Sequence, residues 1–376
     1  MAELGSGRSA PSESRLKWPV RRSAAGPEGT AEDIAAQDIA ELEAADRQLP
    51  PPEPVVMAEP PQRFNLAILR LAGLGLALVL ALALTMVRLF VAGPPSVADL
   101  RAQAGVEGWT ELSVGVKDDQ PGVAFYDKAK LIWSGFDIDI AYMIAEDLGF
   151  RRAEVKFYAI ESEDRARMQA TDAEGNRVPV KLVIASYSIT PARKAMAGVT
   201  FSQPYLFTEQ SVITRLAHSS VSALSDLKGK RACTLSASTS QTAPENAGVK
   251  LISKNRVSEC FHELDAGHVD AVTTDAAILA GYMAKYPHKY AHWDIGLDAT
   301  EAWGVNVGEN QALKTLVDIT LYRSLKDPAD NRWELAYQDN LQAEVGANPG
   351  TPIAVATEPN VDRPNVRELP WESNLP

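Results

Sequence analysis

The sequence predicts an α/β domain preceded by a single transmembrane helix. Between about Trp109 and about Gly346, short apolar runs alternate with amphipathic stretches, the texture of strands and helices taken in turn. Ahead of them stands an uncharged run, LAGLGLALVLALALTMV from Leu71 to Val87, which is apolar on every face rather than along one stripe.

Residues 1–62 are rich in Ala, Glu, Asp and Pro and poor in large apolar side chains, so they cannot bury enough surface to offset the entropy of folding. They are read as a disordered cytoplasmic arm, within which 31–48 forms at most a thinly amphipathic helix. Arg70 and Arg88 bracket the apolar run and reach toward the bilayer surfaces, so 63–92 is long enough to cross roughly 30 Å of hydrocarbon. A signal peptide starting at Met57 is the competing reading. The run is long for one, no cysteine follows it to take a lipid, and an uncleaved anchor is expected. Residues 93–108 read as a linker and 347–376 as an extended Pro-rich tail. The expected location is the cell membrane, single-pass, with the N-terminus cytoplasmic and the α/β domain extracytoplasmic.

The chain has 376 residues and a net charge of −12, which argues against a nucleic-acid partner because phosphate needs a surplus of Lys and Arg. Its five histidines show no metal-ligand spacing with Cys233 and Cys260, the only cysteines. No P-loop, GxSxG elbow or GxGxxG turn occurs, so no metal, cofactor or enzymatic activity is expected. The two cysteines could be free core thiols or a pair, depending on the compartment.

Chemistry concentrates where predicted strands meet predicted helices. LSVGVK (Leu112 to Lys117) is a strand running into the loop DDQPG, and SGFDIDIAYMIAEDLGF is a packing helix with Asp137 suited to its N-terminus and Gly149 to its C-terminal end. In KLVIASYSITPARK a buried strand leads to Thr190 as N-cap and Pro191 as first helical residue. That puts Arg193 in the first helical turn, where a cation is unfavourable unless an anion is shared with it; a surface ion pair is the alternative. KGKRACTLSASTSQ crowds Ser236, Ser238, Thr239 and Ser240 at a second strand exit, suited to a small anion or simply to capping. VDAVTT runs into Asp275, which either caps the next helix or offers a fixed negative charge to an ammonium group. Cation, hydroxyls and anion together are complementary to a zwitterion.

These segments resemble a known family. GFDIDIAYMIAEDLGF, LVIASYSITPARK with FSQPY, LSDLKGKRACTLSASTS and LDAGHVDAVTTDAAILAGY, in that order over about Leu112 to Leu341, resemble bacterial extracellular solute-binding proteins of family 3. Within that family they look most like the glutamate-binding receptors of polar amino-acid ABC transporters. The resemblance implies a two-lobed type II periplasmic-binding-protein fold, with lobe one at about 109–206 and 297–346, lobe two at about 207–296, and hinged closure. It implies that Arg193 and Ser188 hold a ligand α-carboxylate, that Thr239 and Ser238 close on it, and that Asp275 and the Ser186 carbonyl hold the ammonium. Lys117, Gln120 and Arg165 would face the ligand side chain, favouring glutamate or aspartate. Cys233 and Cys260 would form a disulfide, contributing roughly 3–4 kcal/mol.

The sequence departs from the family at Lys181, where an Asp is usual, after the extra stretch TDAEGNRVPV, and at Ala237, where a glycine is expected. It also departs in its spanning helix and long arm. The expected partner is an amino acid together with either an ABC permease or, alternatively, a signalling protein such as a kinase reached through the arm. Dehydratases that resemble this fold supply a third, enzymatic alternative, which the cleft residues do not favour.

Overall fold

The computed structural model describes residues 66–90, 93–297 and 300–367. The arm over 1–62, its helix over 31–48 and the last part of the tail, 368–376, lie outside the described residues. The apolar run forms one helix, α1 (Leu66–Phe90), long and apolar enough to cross a membrane, with its side chains from 66 to 88 exposed.

The segment read as a linker contains a helix, α2 (Val97–Ala104), closed at its start by a reciprocal Ser96–Asp99 capping box and at its end by Gly105. Leu100 and Ala104 bury into the main core, so the segment is part of the domain's packing.

The domain begins at β1 (Leu112–Val116), whose Leu112, Val114 and Val116 are fully buried because parallel neighbours, β5 (Val155–Ala159) and β8 (Leu182–Val183), cover it on both edges. A small antiparallel sheet follows: β2 (Asp119–Gln120), β3 (Ala124–Asp127) and β4 (Ile132–Ser134). Helix α3 (Phe136–Asp147) starts at Gly135, where a Cβ would stand 2.4 Å from the Val123 carbonyl oxygen, so only glycine fits. As predicted, α3 ends with Gly149 in the left-handed conformation. The extra stretch TDAEGNRVPV is a hairpin, β6 (Gln169–Thr171) with β7 (Arg177–Pro179), added to the sheet edge beyond β5. Lys181 lies on the surface with its ammonium 4.8 Å from the centre of the Trp109 ring, away from the strand ends.

A short helix α4 (Pro191–Lys194) leads into β9 (Phe201–Arg215), a strand of 15 residues and so about 50 Å long. Its first part pairs antiparallel with β14 (Thr300–Asn306), and from Gln210 onward it pairs with β12 (Ala271–Asp275). On the far side of that changeover lies a second parallel sheet, β11 (Lys250–Lys254), β10 (Arg231–Leu235) and β12, with β13 (Tyr290–Trp293) on the other edge of β9. Strand β9 thus runs through both sheets, pairing with β14 in the first and with β12 and β13 in the second. Helix α5 (Val257–Asp265) carries Cys260, which is disulfide-bonded to Cys233 of β10 across a Cα separation of 5.3 Å. Helix α6 (Ala276–Lys285) follows β12, and its Gly281 meets the Pro121 carbonyl so closely that a Cβ would stand 1.8 Å from it.

Beyond α7 (Gln311–Lys326), α8 (Arg332–Tyr337) and α9 (Ala343–Ala347), the Pro-rich tail is extended but docked. Asn348 bonds His292 at 2.9 Å, and Ile353 buries against Ala276 and Ala280. Val355 donates to the Phe207 carbonyl of β9 at 3.0 Å, and Gln203 and Asp362 exchange two hydrogen bonds. Finally Arg367 pairs with the Pro95–Ser96 backbone and forms an ion pair with Asp99 at 2.7 Å. The tail is a strap running from β13 and α6, over β9, to α2.

Candidate functional site

The strand ends expected to carry the chemistry converge where β9 changes partners. Gln120, Arg165, Ser186, Ser188, Arg193, Ser238 and Asp275 line one cavity of about 10 Å³, together with Leu235, Thr274 and Ile278. Thr239 flanks it, its hydroxyl 3.4 Å from that of Ser188. Lys117 does not line it: its ammonium is buried behind Arg165 and donates to the Ser162 hydroxyl at 2.9 Å. A larger hollow beside α3, lined by Tyr142, Arg152 and Arg332 among others, is open to solvent. Of the charges that line it, Arg332 is already paired, to Asp147 at 2.8 Å and to Asp330 at 2.6 Å.

Arg193 sits as its sequence predicts. Thr190 caps α4 by accepting from the Arg193 N–H at 3.2 Å, and Pro191 is the first helical residue. The guanidinium is buried rather than paired at the surface. It donates to the Ser188 carbonyl at 2.8 Å and, across the cleft, to the Ala237 carbonyl at 2.7 Å. Arg165 extends from the turn after β5 and donates to the carbonyls of Ala185 at 3.2 Å, Ser186 at 3.1 Å and Ala237 at 3.3 Å. The ring of Tyr187 lies under both, 4.5 Å from the Arg165 guanidinium carbon and 4.7 Å from that of Arg193. This platform was missed in the sequence, where Tyr187 was not singled out.

Ala237, where a glycine was expected, adopts φ +49°, a left-handed conformation costing an L-residue about 1–2 kcal/mol. That turn aims its carbonyl at both guanidinium groups. Its neighbour Ser238 accepts from the Ser240 N–H at 3.2 Å and so caps the short turn that follows.

Asp275 occupies the N-terminal position of α6 yet caps nothing; the Ala277 N–H goes instead to the Thr208 hydroxyl at 3.2 Å. Its carboxylate accepts from the Trp303 indole N–H at 2.6 Å and, more weakly, from the Ser240 hydroxyl at 3.4 Å. Asp137, read as a helix-terminal charge, is also buried in the interior. It accepts from the Ser186 N–H at 3.0 Å and the Tyr205 hydroxyl at 2.8 Å, and so fixes the Ser186 turn. Ser186, itself at φ +47°, donates its hydroxyl to Gln120 Oε1 at 2.7 Å. Gln120 Nε2 is a buried donor without a partner, ready for an acceptor.

Burial dominates the electrostatics. It lowers Lys117 to about 8 and Arg165 to about 9, each further depressed by a neighbouring Arg, Arg165 and Arg193 respectively. Arg193 is lowered and Asp275 raised for the same reason, with Glu301 pushing Asp275 further up. Charges of both signs so desolvated surround a space of about 10 Å³, far below the roughly 300–1,000 Å³ of small-molecule sites, and form a polar clamp filled by its own side chains.

The family model for bacterial extracellular solute-binding proteins, family 3, matches residues 112–323, more than half of the chain. Glutamate-binding protein GluB of Corynebacterium glutamicum is 29% identical over 254 residues, covering 64% of this chain and 82% of that protein. Membrane-bound lytic murein transglycosylase F of Ectopseudomonas mendocina is also 29% identical over 237 residues, but the match spans only 45% of that protein. An ancestral arginine-binding protein bound to glutamine superposes with a TM-score of 0.54 at 29% identity, covering 62% of this chain and 98% of the other. Its likeness identifies the two-lobed fold as the type II periplasmic-binding-protein fold. The chain belongs to the bacterial extracellular solute-binding proteins of family 3.

Proposed function

We propose that this protein is a membrane-anchored extracytoplasmic receptor that holds an acidic amino acid, glutamate or aspartate, between its lobes for an ABC permease. One observation carries the reading: two buried guanidinium groups and a buried carboxylate, Arg165, Arg193 and Asp275, face one cavity with Gln120, whose Nε2 has no partner among the described residues. An α-amino acid with an anionic side chain answers each of them. Arg193 with Ser188 takes the α-carboxylate, Thr239 and Ser238 close on it, and Asp275 with the Ser186 carbonyl takes the ammonium. Arg165 and Gln120 take the side-chain carboxylate. Lys117 acts from behind Arg165, adding positive potential rather than contact. The name of the Corynebacterium relative, a glutamate-binding protein, supports the same ligand class.

The lobes, about 109–206 with 297–346 and about 207–296, close about β9 and β14, and the ligand favours the closed state by touching both. The test is isothermal titration of the detergent-solubilised chain with Glu, Asp, Gln and Asn. Binding of Glu or Asp in preference to the amides is expected; silence from all four refutes the proposal.

A second reading, an amino-acid sensor signalling through residues 1–62, is favoured by the strap, which ties β13 and α6 to Pro95–Asp99, close after the anchor helix. Deleting 1–62 separates the two: transport survives the deletion, whereas sensing does not.

A further inference from the structure

Trp303 is fully buried on β14, which pairs with the first part of β9, and its indole nitrogen can only donate. The 2.6 Å contact with Asp275 Oδ2 is therefore a hydrogen bond to the carboxylate with its direction fixed. The backbone of Trp303 is held twice. It stands opposite Leu206 of β9, and it forms an isolated bridge with Ser188. Ser188 in turn holds Arg193 through its carbonyl. One residue thus ties the carboxylate of the cleft to the backbone that sets its guanidinium.

We propose that Trp303 is a positioning residue that keeps Asp275 ionised and turned into the cleft, so that Oδ1 receives the ammonium of the ligand. Two observations carry this independently. Asp275 stands at the start of α6 without capping it, so something other than the helix directs its side chain, and the shortest contact it makes is to Trp303. Its other oxygen has only the long Ser240 contact of 3.4 Å, which leaves Oδ1 the weakly held one, on a residue that lines the cavity. The charged groups that face Asp275 are Glu301 of β14, Arg193 of α4 and Arg165 of the turn after β5. Glu301 and burial favour a proton on Asp275; the two guanidinium groups and the Trp303 N–H favour its loss. Without the indole donor that balance tips toward the neutral acid, which holds an ammonium poorly.

The inference rests on the amino-acid reading above, and the experiment separates their failures. Glutamate affinity is titrated between pH 6 and pH 9 for the full chain, for Trp303→Phe, for Asp275→Asn and for the double variant. Trp303→Phe removes a hydrogen bond to a charged group and is expected to weaken glutamate by roughly tenfold or more near neutrality. The loss shrinks as the pH rises and Asp275 ionises again, and the substitution adds nothing on top of Asp275→Asn. A loss that is the same at every pH, an additive loss in the double variant, or no loss overturns the inference while leaving glutamate binding intact. A wild-type chain that binds no glutamate overturns both. Should Trp303→Phe not fold, benzothienylalanine at 303 keeps the ring shape and replaces only the N–H with sulfur, and the same outcomes apply.

Discussion

Glu358→Gln tests whether the strap is docked as described. Glu358 is 8% exposed, and the neighbouring Ser324 hydroxyl favours its ionised form too weakly to offset burial. Burial, with Glu334 and Asp330 nearby, pushes its carboxyl from 4.5 up to about 8. The sign follows from which state holds the proton more tightly. Here it is the folded state, so the penalty is absent below about pH 4.5, grows through neutrality and is complete above about pH 8. A displacement of this size corresponds to about 5 kcal/mol at face value, and solvent screening of a side chain near the surface leaves about 2 kcal/mol. Glutamine keeps the shape and never ionises. The variant is therefore expected to melt about 4–8 °C higher at pH 8 and at the wild-type temperature at pH 4.5. Calorimetry of both proteins at the two pH values reads the difference. An equal shift at both pH values, or none at pH 8, refutes the argument that the strap buries this carboxyl.

Arg193→Lys keeps the charge but cannot serve both sides of the cleft, so glutamate affinity should fall by roughly tenfold or more in a titration. Arg165→Met should abolish the preference for Glu over Gln, whereas Lys117→Met should leave it, because only Arg165 lines the cavity; competition between the two amino acids reads both. Replacing Cys233 and Cys260 together by Ala opens a loop with a sequence separation of 27 and should cost about 3.5 kcal/mol, lowering the melting temperature by about 10 °C. Reduction of the wild type should reproduce that shift, and a melting temperature insensitive to both would contradict it.

What could be read in the sequence was local. Thr190, Pro191 and Arg193 announce a capped helix, and Asp275 an abrupt strand end, because both signals lie within a few adjacent residues. What could not be read depends on partners far along the chain. Asp137 looks like a helix-terminal charge, since nothing nearby reveals the Tyr205 hydroxyl that meets it inside the core. Trp303 looks like any core aromatic until β14 lies against β9. The strap has no periodicity to detect; it docks through single side chains such as Ile353 and Val361 and a few backbone bonds, so proline content alone suggested only an extended tail. Lys117 was placed with the side-chain contacts by its position after β1, and only the Ser162 contact shows it turned behind Arg165.

The closed cleft reframes what the alanine at 237 does. A glycine there would reach φ +49° without strain, whereas alanine holds it only because something repays about 1–2 kcal/mol. Two guanidinium groups do so, donating to the Ala237 carbonyl where a ligand carboxylate is expected. An incoming amino acid therefore gains only the difference between a charged carboxylate and that carbonyl, not the whole of the charge-assisted contact. On the proposed receptor reading, such a difference favours ligands with two anionic groups. On that reading one carboxylate takes Arg193 from the carbonyl while the other satisfies Arg165, so neither cation is left buried and unpaired.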